Sequence, residues 1–265
     1  MIPLNNSTPI PAATLILFRE DGNGAAQHLM IERAASMVFA AGALVFPGGR
    51  IDPDDHDVAA SIVVHNVPDD PDDAAARVAA IRETLEETGQ CVAIQPRPDI
   101  ARVQEWRALL KTGHLFSTLL AQSGATLDLG LLVPFARWCP NLGDKRRFDT
   151  RFYIARARSR HAVEVDAGEV THYHWLTAQD AIDAEAAGRH RIIFPTMRNI
   201  ERLATCPGFD IAVAHATSTI ARTIVPEIQT LEGEQWLCIP EDAGYPVVRA
   251  LLESVFGPEL SRPGD

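Results

Sequence analysis

No run of apolar residues in the sequence approaches the ~18 that a membrane-spanning helix needs. The opening MIPLNNSTPIP has neither the basic stretch nor the apolar stretch of a secretory signal. The closing SRPGD matches no retention or peroxisomal address. These absences lead to the expectation of a soluble, cytoplasmic protein. Cysteine is scarce and scattered: Cys91, Cys139, Cys206 and Cys238 form no CxxC pair. With no clustered histidines beside them, a disulfide framework or zinc ribbon is disfavoured, and the four are expected as buried, reduced thiols. Positive charge is in deficit, with 24 Lys and Arg against 35 Asp and Glu and a net charge of −11. That balance argues against a nucleic-acid backbone or an anionic membrane as partner. Internal repeats and low-complexity linkers are also missing. What is present is ordinary globular usage, 46% hydrophobic and 22% charged over 265 residues. This suits one core with elaborations.

The opening third reads as strands. Ala12 to Phe18 and His28 to Glu32 flank the turn cluster Asp21-Gly22-Asn23-Gly24, the pattern of a hairpin. Ala43 to Phe46 is stopped by Pro47-Gly48-Gly49. Between Asp52 and Asp73 lie eight aspartates and no Lys or Arg, around a short apolar run from Ala59 to Val64. This stretch is either a solvated acidic loop or a loop that borders a cation site. A helix is predicted from about Asp73 to Thr88, capped by Asp72 or Asp73 and closed by Gly89, with Val78, Ile81 and Leu85 facing the core. A short strand follows at Val92 to Ile94, then helices at Asp99 to Lys111 and Leu115 to Gln122. Strands are expected at Leu131 to Trp138, Phe148 to Ala155 and Val170 to Trp175. Helices are expected at Thr177 to Ala187 and Pro195 to Thr205. The expected arrangement is one mixed α/β domain over residues 1–265: a core at about 12–205, an acidic insertion at about 52–73 and a helical annex at 206–265.

The segment Arg82-Glu83-Thr84-Leu85-Glu86-Glu87-Thr88-Gly89 carries the chemistry. On a helix, Glu83, Glu86 and Glu87 stand at i, i+3 and i+4 and share one face. Like charges so placed repel, and a hard divalent cation with oxygen ligands, Mg²⁺ or Mn²⁺, would offset the repulsion. The plainer reading is a solvated helix with Arg82 paired to Glu86. An Arg-Glu-x-x-Glu-Glu-x-Gly string arises by chance on the order of once in several thousand chains, which favours the functional reading.

This string, preceded by Phe46-Pro47-Gly48-Gly49, resembles the Nudix hydrolase signature, Gly-x5-Glu-x7-Arg-Glu-x2-Glu-Glu-x-Gly. Gly49 corresponds to its first glycine, and Arg82, Glu83, Glu86, Glu87 and Gly89 to its second half. The chain departs from the pattern in one respect. Between Gly49 and Arg82 lie 32 residues, and the position eight before Arg82 is Ala74, so the first glutamate is unmatched. Asp55, Asp72 and Asp73 could approach its place, and none is given its role. A split box of this kind is similar to the branch containing the animal acyl-coenzyme A diphosphatases. Glu32 to Ser36, Lys145 to Tyr153 and Phe194-Pro195-Thr196 are similar to that branch as well.

The resemblance implies a Nudix-like α/β/α sandwich with a mixed sheet, an acidic insertion and a C-terminal helical extension. It implies metal-dependent hydrolysis of a nucleoside diphosphate linked to another moiety, by water attack on phosphorus. Coenzyme A or acyl-coenzyme A is the substrate the branch suggests. A nucleotide sugar, a dinucleotide or a catalytically silent binding module are the rivals. By the same analogy Glu83, Glu86 and Glu87 hold Mg²⁺ or Mn²⁺, with Glu86 also catalytic, and Arg82 orients a box glutamate. Glu169, in preference to Asp166, supplies a further carboxylate before the strand ending in Trp175. Arg33, Gly48, Gly49, Arg146 and Arg147 are assigned to substrate.

The basic block Lys145, Arg146, Arg147 and Arg151 either holds a diphosphate or 3′-phosphate, or is a hairpin paired to nearby aspartates. His172 and His174 alternate on one strand. Two histidines without a third ligand read as ordinary strand residues rather than a metal site. Trp138, Trp175 and Phe152 read as core rather than a base-stacking platform. The expected partner is a small-molecule diphosphate, with no nucleic acid and no membrane, and a homodimer is compatible with this reading.

Overall fold

The apolar run from Ala12 to Phe18 is buried on both faces, and both faces are covered by helices. The structure is a computed structural model that describes residues 7–20, 24–34, 42–142, 146–157, 163, 170–219 and 222–257. In chain order the first elements are β1 (Ile10–Glu20), β2 (Ala26–Arg33), β3 (Leu44–Val45), β4 (Gly48–Arg50), α1 (Pro53–Ala59), β5 (Val64–His65) and α2 (Pro71–Thr88). Next come β6 (Ile94–Gln95), α3 (Ile100–Lys111), α4 (Phe116–Ser123), β7 (Thr126–Asp128), β8 (Val133–Trp138), β9 (Phe148–Arg156) and β10 (Val170–Leu176). The chain continues through α5 (Ala178–Ala186), α6 (Phe194–Ala204), α7 (Phe209–Ser218), β11 (Thr223–Ile224), β12 (Glu227–Leu231), β13 (Glu234–Cys238), β14 (Arg249–Leu251) and α8 (Leu252–Phe256).

The main sheet runs β10-β2-β1-β9-β8-β11, with β3 on β2 and β4 on β1. It is mixed: β1 is parallel to β9 and antiparallel to β2 and β4. Period-two alternation divides its side chains between two cores. Leu15, Leu17, Leu29, Tyr153 and Ala155 pack with α2, α3 and α4. Ile16, Phe18, Met30, Phe152 and Ile154 pack on the opposite face with α5 and α6. The result is the α/β/α sandwich expected, and α2 is pressed against one face of it. All four cysteines are buried and free. Trp138 and Phe152 are core residues, and Trp175 lies half-buried under the Arg19 guanidinium, 4.2 Å from the ring centre.

The structure corrects several local expectations. Helix α2 starts at Pro71, because Asp70, and not Asp72 or Asp73, is its N-cap and accepts from the Asp72 N–H at 3.0 Å. Proline at the first position suits a helix start. The acidic stretch is not a solvated loop throughout, since α1 occupies part of it and buries Asp55 completely. The annex is helical at α7 and α8, while its middle is a three-stranded antiparallel sheet, β12-β13-β14. Among the described residues, no helix is long and apolar enough to cross a membrane.

His28 introduces a pH dependence. It is 3% exposed, its ring meets Phe18 edge-on at 4.4 Å, and its Nδ1 has no hydrogen-bond partner among the described residues. Burial pushes its pKa down to about 4 from 6.5. Between those values the unfolded chain binds a proton that the folded chain refuses. The contribution to stability is therefore complete above pH 6.5 and is lost as pH falls toward 4. Its size is about 3 kcal/mol at most. Urea melts across this range should show a steeper acid loss for the native chain than for His28→Leu. Parallel acid limbs would rule out His28 as the cause.

Candidate active site

Pro47 ends the run that contains β3, and Gly48 and Gly49 open β4 opposite Thr14 and Ala13. Gly48 is required on steric grounds, because its neighbour is backbone, whereas a side chain at Gly49 would displace a box glutamate. A methyl on Gly48 would overlap the Ala13 carbonyl, and one on Gly49 would overlap the Glu83 carboxylate. The loop is thereby pressed against α2. Glu87 fastens it, accepting from the Gly48 N–H through Oε2 at 2.9 Å. Its Oε1 lies 4.0 Å from Arg33 Nη1 at the end of β2. The Arg33 Nε is buried with no hydrogen-bond partner among the described residues.

Arg82 organises the remaining acids. Its Nε and Nη2 donate to the two Asp55 oxygens, each at 2.9 Å, in the bidentate geometry that guanidinium and carboxylate favour. Nη1 donates to Glu83 at 2.9 Å and to Glu86 at 3.0 Å, and Nη2 also reaches the Arg50 carbonyl at 3.0 Å. One cation thus brings two box glutamates side by side. Burial works against the Arg82 charge, but the Asp55 hydrogen bonds and the charges of Glu83, Asp55 and Glu86 prevail and raise its pKa. Asp55 is pushed upward by burial and pulled back by Arg82. Glu83 is pushed up to about 7, first by burial, with Arg82 opposing and Glu86 reinforcing the shift. Gly89 closes the helix at φ 68, in the left-handed region where glycine belongs.

Asp55 is one of the three aspartates that the sequence leaves without a role, and it is the one that meets Arg82. A sequence signal for this pairing existed. Counting forward from Gly49, five residues precede Asp55, which is the signature spacing. Counting back from Arg82 leads instead to Ala74, a core residue of α2. The insertion falls between Asp55 and Arg82, and the fold brings the two together.

The structure gathers Arg33, Gly48, Gly49, Arg82, Glu83, Glu86 and Glu87 at one place. Ala13 pairs with Gly49 on one side and with Arg151 on the other. Of the basic block it is therefore Arg151 that comes level with the loop, two strand spacings or ~10 Å away. Arg151 is paired to Asp70 at 3.0 Å and Asp73 at 3.3 Å, the plainer alternative for that residue. Arg146 and Arg147 stand just before β9, and the Arg147 carbonyl accepts from the Ile10 N–H at 2.8 Å. Lys145, Asp166 and Glu169 lie outside the described residues.

A mixed-sheet α/β/α sandwich, with a glycine loop clamped to a helix that carries these acids, defines a Nudix hydrolase. Comparison with known proteins narrows the class. The NUDT19 Nudix domain family matches residues 60–203, and the chain belongs to it. It is similar to the acyl-coenzyme A diphosphatase NUDT19 of Homo sapiens, 29% identical over 153 residues, covering 51% of this chain and 40% of that protein. The Xenopus laevis protein of the same name is 25% identical over 209 residues, covering 71% of this chain and 52% of its own length. The chain thus spans about half the length of these two relatives or less. A solved Nudix hydrolase from Alicyclobacillus acidocaldarius superposes with a TM-score of 0.71 at 30% identity, covering 79% of this chain and 97% of that one.

Proposed function

We propose that this enzyme hydrolyses the diphosphate bond of coenzyme A or an acyl-coenzyme A with Mg²⁺ or Mn²⁺, by water attack on phosphorus. The products are a phosphopantetheine compound and a nucleoside 3′,5′-bisphosphate. The observation that carries this reading is the convergence of the Gly48-Gly49 loop and three box glutamates on one helix, in a chain similar to two acyl-coenzyme A diphosphatases.

The donor set suits a hard divalent ion. Asp55, Glu83, Glu86 and Glu87 set four carboxylates against the guanidinium groups of Arg82 and Arg33. The excess of negative charge has only oxygen ligands to offer. Glu83, Glu86 and Glu87 would hold the ion, which when bound neutralises phosphate oxygens and acidifies a water. The protein's own share is positioning. Arg82 holds Glu83 and Glu86 in place, and Glu87 ties the glycine loop to the helix. Arg33 and the backbone of Gly48 and Gly49 face the diphosphate, and Arg146 and Arg147 take the 3′-phosphate. Glu86, 28% exposed at its side chain, is open enough to receive a proton from the incoming water, and Glu169 is the further carboxylate for that task. The silent-module rival rested on a missing box acid, and the bidentate pairing of Asp55 with Arg82 supports Asp55 in that place.

The test is a panel of diphosphates assayed with Mg²⁺ and with Mn²⁺: coenzyme A, an acyl-coenzyme A, a nucleotide sugar, a dinucleoside polyphosphate and a reduced dinucleotide. The expected result is a kcat/KM for the coenzyme A compounds on the order of tenfold or more above the rest, abolished by chelation. A coenzyme A rate no better than the others would overturn the substrate assignment. No turnover of any member would overturn the hydrolytic one.

A further inference from the structure

Alternation along β2 sends Leu29 to the α2 face and Met30 to the α5 and α6 face. Glu32 shares the Met30 side, so it faces away from the box, while Arg33 faces toward it. On the neighbouring edge strand, β10, His174 pairs with Met30 and His172 with Glu32. A third imidazole arrives from a distant part of the chain. His190 lies in the turn between α5 and α6, held there because the next residue, Arg191, bridges to Ala43 and its carbonyl accepts from the Leu44 N–H at 2.8 Å.

One ligand atom from each of Glu32, His174 and His190 lies within 4.8 Å of the others. The rings of His174 and His190 are 4.9 Å apart, and His190 Nδ1 is 3.7 Å from Glu32 Oε1. The other Glu32 oxygen is 3.1 Å from Nδ1 of the exposed His172. Two of the ring nitrogens, His174 Nε2 and His190 Nδ1, are buried and have no hydrogen-bond partner among the described residues. Buried polar atoms are ordinarily satisfied, and two orphaned imidazole nitrogens beside a carboxylate lack a common positive partner.

We propose that Glu32, His174 and His190 bind a divalent transition-metal ion of the zinc class at a site separate from the Nudix box. Two imidazoles and one carboxylate suit Zn²⁺ and its neighbours rather than Mg²⁺, and three protein ligands leave a position for water. His172 holds the second oxygen of Glu32 and so orients that ligand. The three ligands come from β2, β10 and the α5–α6 turn. The ion therefore ties an edge strand and a connecting turn to the sheet. Its expected role is stabilisation, independent of diphosphate hydrolysis.

The full chain, stripped by chelation and returned to excess Mg²⁺ to supply the box, is titrated with Zn²⁺, and with Co²⁺ as a visible-absorption probe. A single Zn²⁺ equivalent should bind and raise the thermal midpoint, as any ligand selective for the folded state does. His190→Ala and His174→Gln should each weaken binding on the order of tenfold or more and abolish the rise. Glu87→Gln should leave both intact. Circular dichroism establishes that each variant is folded, and His190→Ala, in a surface turn, is the safer of the two. Undiminished Zn²⁺ binding in folded His190→Ala would overturn the proposal. Loss of binding in Glu87→Gln, or no binding to the native chain, would also overturn it.

Discussion

Asp55→Ala is expected to cost about 3–5 kcal/mol of stability, the penalty for breaking a buried ion pair by removing one partner. Arg82 would keep its charge and its buried position but lose both Asp55 bonds. Asp52 Oδ2, at 3.4 Å, and the Arg50 carbonyl are the groups left near that end of the guanidinium. The Asp52 N–H would lose its bond to Asp55 as well, unpinning the start of α1. Activity should fall with stability, since Arg82 would no longer be held where it aligns Glu83 and Glu86. Asp55→Glu, which restores the side chain of the family signature, should recover part of both. Urea melts with parallel turnover assays provide the check. A folding free energy within ~1 kcal/mol of the native chain, the scale of an exposed ion pair, would show that the pair is worth no more than one at the surface.

The same residue shows where sequence reasoning succeeds and fails. The helix carrying Arg82, Glu83, Glu86 and Glu87 was legible because periodicity, an acidic start and a terminal glycine all agree within one segment. The long strands β1 and β9 were legible as uninterrupted apolar or alternating runs. Asp55 is hidden from a count taken back from Arg82, because 26 residues separate the two where the signature has seven; the count forward from Gly49 reaches it, and the fold brings it to Arg82. Helix α1 was hidden by its own composition. Seven residues rich in aspartate carry too little periodicity to outweigh a loop-like content. The sheet of the annex is built from strands of five, five and three residues, too short to imprint alternation. The neighbours of His174 are a non-local matter: Glu32 and His190 reach it across strand pairing and a helix, and nothing in their spacing announces it.

Glu87→Gln separates the two tasks that one side chain performs. The carboxylate accepts from the Gly48 N–H at 2.9 Å, and a glutamine oxygen can accept the same bond, so the loop should stay clamped. What glutamine removes is the negative charge facing Arg33 and the place where a divalent ion is proposed to bind. If Glu87 serves only as a clamp, turnover should survive within a few-fold and the metal requirement should be unchanged. If it is a metal ligand, kcat should fall by about 10²–10³, the scale for removing one electrostatic stabiliser of the transition state. The Mg²⁺ or Mn²⁺ concentration for half-maximal rate should then rise by at least ~10–100-fold, the range for perturbing even a supporting contact of a bound metal. The melt supplies the control, because a conserved hydrogen bond predicts a stability change below about 1 kcal/mol. A large loss of turnover at native stability, with a raised metal requirement, is an outcome that the clamp alone does not produce.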